Sequence, residues 1–596
     1  MERRSPSATD WPAKALPWIG VLALAAATFA AYWPALDAGY IWDDDRYVTG
    51  NATLRSAEGL RRIWFDPGAN VQYYPLVHTS FWVQVQLDSP GVGEDPAPRP
   101  LHLVNVLLHA LVAVLVWAVL KALQVPWPWM GAAVFALHPV HVESVAWITE
   151  RKNVLSGAFA LGAALLYLRY AHLPRGRSGP AAATSANDLR GERRTYAAAL
   201  VLFALALLSK TVTAVLPAVL LLLVWWKRGR LTFRDIAPTL PMFAAGAAAG
   251  LFTAYLEHHQ VGARGAAFDL SPIDRGLIAG RAAWFYLGKL VAPVDLTFVY
   301  RRWQIDASAW PQYLYPAALA AGLAGLWIWR RRIGRGPLAG TLVWLACLFP
   351  ALGFIDVYPM RFSFVADHFQ YLASIAPLAM AIAAVHRLGL RLPGRRTRYL
   401  LLPAIALLLL WMGLTRGQTR IYHDVQTLWT DTLKKNPDAV LALNNLGVWH
   451  TRRGDLQAAY PLLEHSLRVD PDQPRAHENF ANVLSDLGRQ EEAIAHYRRA
   501  LELARERGEA RDTIHWNLGL AYGKKGMLAQ AIEQFEEAAR LSPGDPRIRY
   551  ALAETLLLEG RRAEAEAAFR DVLALGTRDA AIRERATRAL ERLSGD

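Results

Sequence analysis

Three consecutive carboxylates follow a long apolar run near the beginning of the chain. The run covers residues 15–36 and is long enough to cross a bilayer, and Asp43, Asp44 and Asp45 lie just beyond its end. Carboxylates in this place would lie at the depth of lipid headgroups, where they could act as a base or stabilise charge on a lipid-linked substrate. The alternative interpretation is a solvated acidic loop without any chemistry.

Composition divides the 596-residue chain into two parts. Apolar runs recur up to about Thr415 and the remainder is charged and helix-forming, so we expect a membrane domain followed by a soluble domain. Cys347 is the single cysteine, which leaves no disulfide within the chain and no cysteine metal site. The formal net charge of +14 resides mainly in short loops between apolar runs, a sign of membrane topology rather than of nucleic-acid binding.

The sequence predicts an all-α protein whose first part is a polytopic bundle of about eleven transmembrane helices. Residues 1–14 are expected in the cytoplasm, residues 15–420 in a multi-pass domain with an outer loop at 37–100, and residues 421–596 in a domain outside the cytoplasm. With the basic loops in the cytoplasm, segment 278–292 is expected to be re-entrant or interfacial on the outer side. The predicted crossings are 15–36, 101–122, 129–147, 153–171, 196–208, 211–226, 237–256, 311–329, 338–355, 367–386 and 399–415.

This topology collects polar residues of the membrane domain on the outer side, which is also the side of Asp43. Ionisable groups within a bilayer cost several kcal/mol unless they are paired, so a group of them at one depth indicates a functional site. A single histidine in such a place more often bonds to a neighbouring helix. His138, His141 and Glu143 have a spacing that brings only the two histidines together, so we expect no metal. The candidate site residues are His102, His141, Glu143, Arg151, Lys152, Lys210, Arg361 and His368.

The second part of the chain repeats with a period of about 34 residues. Leu446-Gly447, Phe480-Ala481, Leu518-Gly519 and Leu552-Ala553 occupy the same place in four successive units, and later small residues keep the register. The pattern resembles the tetratricopeptide repeat, whose paired helices stack into a solenoid with a concave binding surface. Asn445, Asn479 and Asn517 share one position in three units. Their amides could bind the main chain of an extended peptide, or they could simply cover a solvated face.

Several short motifs, in order, resemble the transmembrane and tetratricopeptide repeat-containing O-mannosyltransferases and their bacterial relatives. They are Trp42-Asp43-Asp44, Tyr74-Pro75-Leu76, His102 to His109, His138 to Ser144, Arg151 with Asn153 to Ser156, Ser209-Lys210 and the repeats. The resemblance implies a GT-C type glycosyltransferase fold and a polyprenyl-phosphate sugar as donor. It also implies that the acidic pair is catalytic, with Asp43 or Asp44 as the base.

These observations together predict a membrane glycosyltransferase that moves a mannose-like hexose to a Ser or Thr hydroxyl of a protein outside the cytoplasm. Arg151, Lys152, Lys210, Arg361 and His368 would hold the donor phosphate. His102, His141 and Glu143, with the three asparagines of the repeats, would bind substrates, and no cofactor or divalent metal is expected.

The expected location is a bacterial inner membrane, or the endoplasmic reticulum with lumenal repeats in a eukaryote. Three other functions are compatible with parts of the sequence. They are a non-catalytic membrane scaffold, a GT-C enzyme acting on a lipid or polysaccharide, and a transporter or flippase, although a transport path would carry polar residues in both halves of the membrane.

Overall fold

The computed structural model describes residues 11–88, 94–173, 186–263, 265–390, 400–576 and 579–595. Within these ranges every regular element is helical, which confirms the expected all-helical class. Residues 1–10 of the predicted cytoplasmic N-terminus, and parts of the basic loops 172–195 and 387–398, lie outside the described residues.

The chain divides into two compact units, Met1–Lys435 and Asn436–Asp596. The sequence placed its domain boundary at 420/421, and helix Val425–Lys435 lies in the first unit. The α-helices of the first unit are α1 Trp11–Tyr32, α2 Ala57–Phe65, α3 Pro75–Asp88, α4 Pro98–Ala122, α5 Pro128–Leu137, α6 Val142–Ala146, α7 Arg151–Tyr170, α8 Ala186–Ser209, α9 Leu216–Arg228, α10 Phe233–Ile236, α11 Leu240–Leu256, α12 Pro272–Val291, α13 Leu314–Ile333, α14 Gly336–Leu348, α15 Ile375–Gly389, α16 Leu401–Thr419 and α17 Val425–Lys435.

The second unit consists of paired helices. They are α18 Val440–Arg452, α19 Leu456–Val469, α20 Pro474–Asp486, α21 Gln490–Arg507, α22 Asp512–Lys524, α23 Leu528–Leu541, α24 Pro546–Leu558, α25 Arg562–Ala574 and α26 Ala580–Gly595.

Four helical segments among the described residues are long and apolar enough to cross a membrane: Trp18–Asp37, Pro98–Ala122, Thr211–Arg228 and Phe233–Val261. Shorter apolar helices cover Pro128–Leu137, Gly336–Ala351 and Ile375–Gly389. Each of the eleven predicted runs overlaps a helix, and α12 covers segment 278–292 except for its last residue. The bundle of about eleven crossings is larger than these four segments account for, and it stays a prediction.

The run at 129–147, predicted as one crossing, is interrupted where α5 ends at Leu137. Pro139 has no N–H to continue the helix, and its ring restricts the preceding residue to an extended backbone. Accordingly His138 is extended, and its Nδ1 accepts the N–H of Val140 at 3.3 Å at the beginning of a short 3-10 helix. The chain then passes through α6 and a second 3-10 turn, Ile148–Glu150, before α7 begins. This irregular stretch carries several polar side chains into the interior.

Residues 37–88 of the predicted outer loop pack around a small apolar core to which Leu101 and Ile148 also contribute. Tyr47, Ile63, Val77 and Phe81 are fully buried against one another's helices and against the end of α4. Ser56 caps α2 by accepting the N–H of Gly59 at 3.0 Å. The loop is therefore a structured layer that can hold the carboxylates in fixed positions.

The repeat helices approach each other most closely at the small residues. A Cβ on Gly447 would lie 2.6 Å from Leu463 Cγ, and one on Gly519 would lie 2.7 Å from Phe535 Cε1. Ala493, Ala531 and the equivalent alanines are completely buried. Glycine and alanine recur at these positions because anything larger would separate the two helices of a unit.

We predict that Gly519→Ala loosens the third unit, whereas Gly523→Ala in the same helix does not. The new methyl group at 519 meets Phe535, and overpacking of this kind costs about 1–3 kcal/mol. A methyl group at 523 meets nothing within 4 Å, and alanine stabilises a helix by about 0.5–1 kcal/mol relative to glycine. Hydrogen exchange of α22 and α23 in the intact chain measures both effects. Equal exchange in the two variants would contradict the packing described.

Candidate functional site

The acidic loop after α1, residues 38–50, is held in place by hydrogen bonds to Asp44. Its Oδ2 accepts the N–H of Ile41 at 2.9 Å, and its Oδ1 accepts the N–H and the hydroxyl of Thr149 at 3.0 and 2.7 Å. Trp42, in the left-handed region with φ of 41°, packs its ring against Trp147 at 5.4 Å. Asp44 is therefore a completely buried carboxylate whose two oxygens join this loop to the turn before α7.

Asp43 lies beside Asp44 and has different surroundings. Its Oδ1 is buried and accepts no hydrogen bond from any described residue. Burial raises the pKa of the Asp43 carboxyl to about 7, since the loss of hydration outweighs the nearby positive charge of Lys152. A half-buried carboxylate with an open oxygen and a pKa near neutrality can accept a proton.

Glu150 binds two lysines from different parts of the chain. Lys152 Nζ lies 2.9 Å from its Oε1 and Lys210 Nζ lies 3.2 Å from its Oε2, and all three side chains are buried. Lys210 also donates to Asn153 Oδ1 at 2.8 Å. Burial alone would raise the pKa of Glu150, but the positive charges around it hold that pKa well below its usual value. The group contains two cations and one carboxylate.

His368 joins this group through Glu143. Its ring Nδ1 lies 3.0 Å from Glu143 Oε1, its main-chain N–H donates to Glu143 Oε2 at 2.9 Å, and its Nε2 is 3.9 Å from Glu150 Oε1. The structure thus brings together four residues that the sequence singled out as site candidates, together with Glu150. We call Glu143, Glu150, Lys152, Lys210 and His368 the charged cluster.

Arg151 and His141 are held elsewhere by their own hydrogen bonds. Arg151 is completely buried, donates to Asn105 Oδ1 at 2.9 Å and to the carbonyl of Leu101 at 2.8 Å, and lies over the ring of Phe81. Its guanidinium fastens α7 to α4 and α3 instead of facing the charged cluster. His141 contacts the carbonyl of Phe135 at 2.7 Å and Ser374 Oγ at 2.9 Å, so both ring nitrogens are used within the protein.

His102 and Arg361 are the remaining candidates of the first unit. His102 is buried on α4, on the same helix as Asn105. Arg361 is half-buried in the 3-10 turn Tyr358–Arg361, outside the ion pairs of the charged cluster. Neither residue is brought against the Glu150 carboxylate.

The sequence interpretation missed a second polar chain beside Asp43. Glu257, buried at the end of α11, accepts from Gln72 Nε2 at 2.7 Å and from the N–H of Tyr358 at 3.1 Å. Gln72 in turn accepts the hydroxyl of Tyr47 at 2.6 Å, and the ring of Tyr47 stacks on His78. The available signal was an acid directly after an apolar run, since the predicted crossing 237–256 ends one residue before Glu257.

In the second unit, the three repeated asparagines use their amide nitrogens within the solenoid. Asn445 Nδ2 donates to the carbonyl of Leu441 at 2.7 Å, Asn479 Nδ2 to Asn444 Oδ1 at 3.0 Å, and Asn517 Nδ2 to Glu478 Oε1 at 3.2 Å. Two of these bonds connect one unit to the preceding one. The asparagines therefore contribute to the stacking of the units, whatever they bind.

Among the described residues, no group of three or more His, Cys, Asp or Glu side chains lies where it could hold a metal ion.

Family models identify the class of the second unit. Three models described as tetratricopeptide repeat match residues 440–469, 472–544 and 524–589. The predicted repeats are thereby confirmed, and the second unit is a tetratricopeptide repeat domain.

The curated relatives of this region are protein O-mannosyl-transferases. TMTC2 of Mus musculus is 32% identical over 163 residues, which are 26% of this chain and 19% of that protein. TMTC3 of Homo sapiens is 29% identical over 150 residues, and Tmtc2 of Drosophila melanogaster is 32% identical over 153 residues; each match covers 24% of this chain and 16% of the relative. These matches lie in the repeats, and they span about a fifth of the relatives' length or less.

Two solved structures are similar in the repeats alone. The crystal structure of MamA is 22% identical and covers 27% of this chain and 91% of its own, with a TM-score of 0.24. YrrB, described as a TPR protein with an unusual peptide-binding site, is 19% identical and covers 27% of this chain and 81% of its own, with the same TM-score of 0.24.

We predict that Asp44→Ala releases the acidic loop, whereas Asp45→Ala leaves it in place. Removing the Asp44 carboxylate leaves the buried donors of Ile41 and Thr149 without an acceptor, at about 1–3 kcal/mol. Asp45 is exposed and bonds only to the adjacent N–H of Arg46. Hydrogen exchange of residues 38–50 in the purified chain should rise in the first variant only. Unchanged exchange in Asp44→Ala would show that the loop is held by other contacts.

Proposed function

We propose that the chain is a membrane glycosyltransferase that transfers a hexose from a polyprenyl phosphate to a Ser or Thr hydroxyl of a protein. The observation that carries this proposal is the buried, unbonded Oδ1 of Asp43 beside a cluster that holds two lysines and a histidine. The names of the relatives, protein O-mannosyl-transferases, favour mannose among the hexoses. A scaffold would have no use for a buried carboxylate oxygen that accepts no hydrogen bond.

Asp43 is the general base of the proposed reaction. The acceptor hydroxyl attacks C1 of the sugar and passes its proton to Asp43, while the bond between C1 and the phosphate oxygen breaks. The polyprenyl phosphate leaves as an anion that needs no proton. Asp44 is the less suitable base because both of its oxygens already accept hydrogen bonds.

We infer that Lys152, Lys210 and His368 stabilise the leaving phosphate. Each already faces a carboxylate of the charged cluster, so these side chains are positioned before the donor binds. Without the donor, the carboxylates of Glu143 and Glu150 offset the charges of the two lysines. Arg361 is a further candidate for the phosphate, whereas the bonds of Arg151 assign it to the support of α7.

The remaining parts of the proposal concern the acceptor and the location. We infer that the repeats hold a protein acceptor on their concave face, since one chain that carries both domains raises the local concentration of the bound segment. The carbonyl oxygens of Asn445, Asn479 and Asn517 are the groups offered to a peptide backbone there. The topology expected from the basic loops, with a GT-C type bundle and the repeats outside the cytoplasm, completes the proposal.

The assignment of the base is tested with purified full-length protein, labelled polyprenyl-phosphate mannose and a Ser/Thr-rich acceptor peptide. We expect Asp43→Asn to lower the rate of transfer by about 10²–10⁴-fold, the contribution typical of a general base. Asp45→Asn, which removes the same charge from an exposed position two residues away, should keep the rate of the unaltered protein. Equal rates in Asp43→Asn and the unaltered protein would remove Asp43 from the mechanism.

The pH dependence of the same reaction should be bell-shaped with a maximum between pH 7 and 8. Asp43 accepts a proton only as the carboxylate, so the rate falls as the pH decreases below its pKa of about 7. Burial, partly opposed by Glu150, lowers the pKa of Lys210 to about 8, so its positive charge is lost above that pH.

The variant Lys210→Arg shows which side of the pH profile depends on Lys210, because arginine stays protonated throughout this range. The alkaline limb should move to higher pH and the acid limb should stay in place. An alkaline limb that does not move would assign it to another group.

A further inference from the structure

A cavity of about 620 Å³ opens at one end of α9 and α13, away from the charged cluster. Small-ligand sites in proteins usually enclose about 300–1,000 Å³, so this volume is sufficient for one. Its wall combines three indole rings with three guanidinium groups, contributed by Trp225, Trp226, Trp327, Arg330, Arg331 and Arg335.

The cavity and the charged cluster lie at opposite ends of the same helical segment. Segment Thr211–Arg228 begins directly after Lys210, which contacts Glu150, and it ends beside Trp225 and Trp226. Five residues of 3-10 helix and thirteen of α-helix make this segment about 30 Å long, the thickness of a bilayer core. The cavity therefore lies at the level of the headgroups on the other face of the membrane.

The arginines of the cavity have no described carboxylate as partner. Arg330 lies over the ring of Trp327 at 3.9 Å, and no ion pair among the described residues includes Arg330, Arg331 or Arg335. By contrast, Arg228 at the end of the same segment is paired with Asp235. Three guanidinium groups therefore surround one opening, and no described carboxylate pairs with them. Such an arrangement can bind an anion.

A glycine admits one of these guanidinium groups. Gly229 has a φ of +78°, a left-handed backbone that glycine adopts without strain, and a Cβ built on it would meet the guanidinium group of Arg335. The turn after α9 thus receives Arg335 from the connection between α13 and α14.

We propose that this cavity binds the headgroup of an anionic phospholipid. The planar guanidinium forks suit the non-bridging oxygens of a phosphate, and indole rings at a membrane interface suit the glycerol and upper acyl region. The surroundings favour a lipid over a soluble anion, because Trp327, which lines the cavity, is more than half exposed, as are Ile328 and Trp329 next to it in the chain. A site for free phosphate would have no need of such an apolar rim.

Native mass spectrometry of the full-length protein in detergent, titrated with phosphatidylglycerol, tests the proposal. We expect one tightly retained phosphatidylglycerol, and about tenfold weaker retention in Arg335→Gln. Arg332→Gln is the matched control, because Arg332 belongs to the same basic run but does not line the cavity. Arg331→Gln, at an exposed lining residue, should also weaken retention and replaces Arg335→Gln if that variant does not fold.

Zwitterionic phosphatidylcholine and inorganic phosphate distinguish the sources of the bound group. The proposal expects weak retention of phosphatidylcholine and no displacement of phosphatidylglycerol by inorganic phosphate at equal concentration. If Arg332→Gln and Arg335→Gln weaken the retention of phosphatidylglycerol equally, a basic loop attracts the lipid in general. That result would contradict a specific site in the cavity. Displacement by inorganic phosphate would overturn the lipid as its occupant.

Discussion

The first unit depends on the two ion pairs of Glu150. A buried charge is costly unless it is paired and its remaining polar atoms are bonded, and in this unit the turn before α7 supplies one carboxylate to two lysines. Lys152 comes from the beginning of α7 and Lys210 from the junction of α8 and the following 3-10 helix. The same pairs that join these elements hold two ammonium groups close together in the interior, where a buried anion could meet them.

The different hydrogen bonding of Asp43 and Asp44 follows from the turn before α7. Thr149, the residue before Glu150, offers its N–H and hydroxyl to Asp44 and so fixes the acidic loop against the charged cluster. Both oxygens of Asp44 accept hydrogen bonds, whereas Oδ1 of Asp43 accepts none. Burial raises the pKa of both carboxyls to about 7, so the two adjacent acids differ in their hydrogen bonds, and only Asp43 keeps an oxygen that accepts none.

The sequence revealed features that depend on local patterns and missed those that depend on tertiary contacts. The 34-residue period and its small residues predicted the repeats, and the depth of Asp43, Lys152, Lys210 and His368 predicted their shared location. Spacing could not show that the bonds of Arg151 to Asn105 and Leu101 turn it away from the cluster. Nor could it show that Gln72 and Glu257, 185 residues apart, meet in one chain of hydrogen bonds.

Cations lie at both ends of segment Thr211–Arg228, and they face different kinds of anion at the two ends. At the Lys210 end the cations are buried, so each needs a carboxylate within the protein. At the other end Arg330, Arg331 and Arg335 border an open cavity, where a headgroup phosphate can take the place of a protein acid. The segment is about as long as the bilayer core is thick. Binding to protein at one end and to lipid at the other fixes its depth in the bilayer. The proposed reaction, whose donor would be anchored in the bilayer, requires that constancy, because the donor phosphate would arrive at one level only.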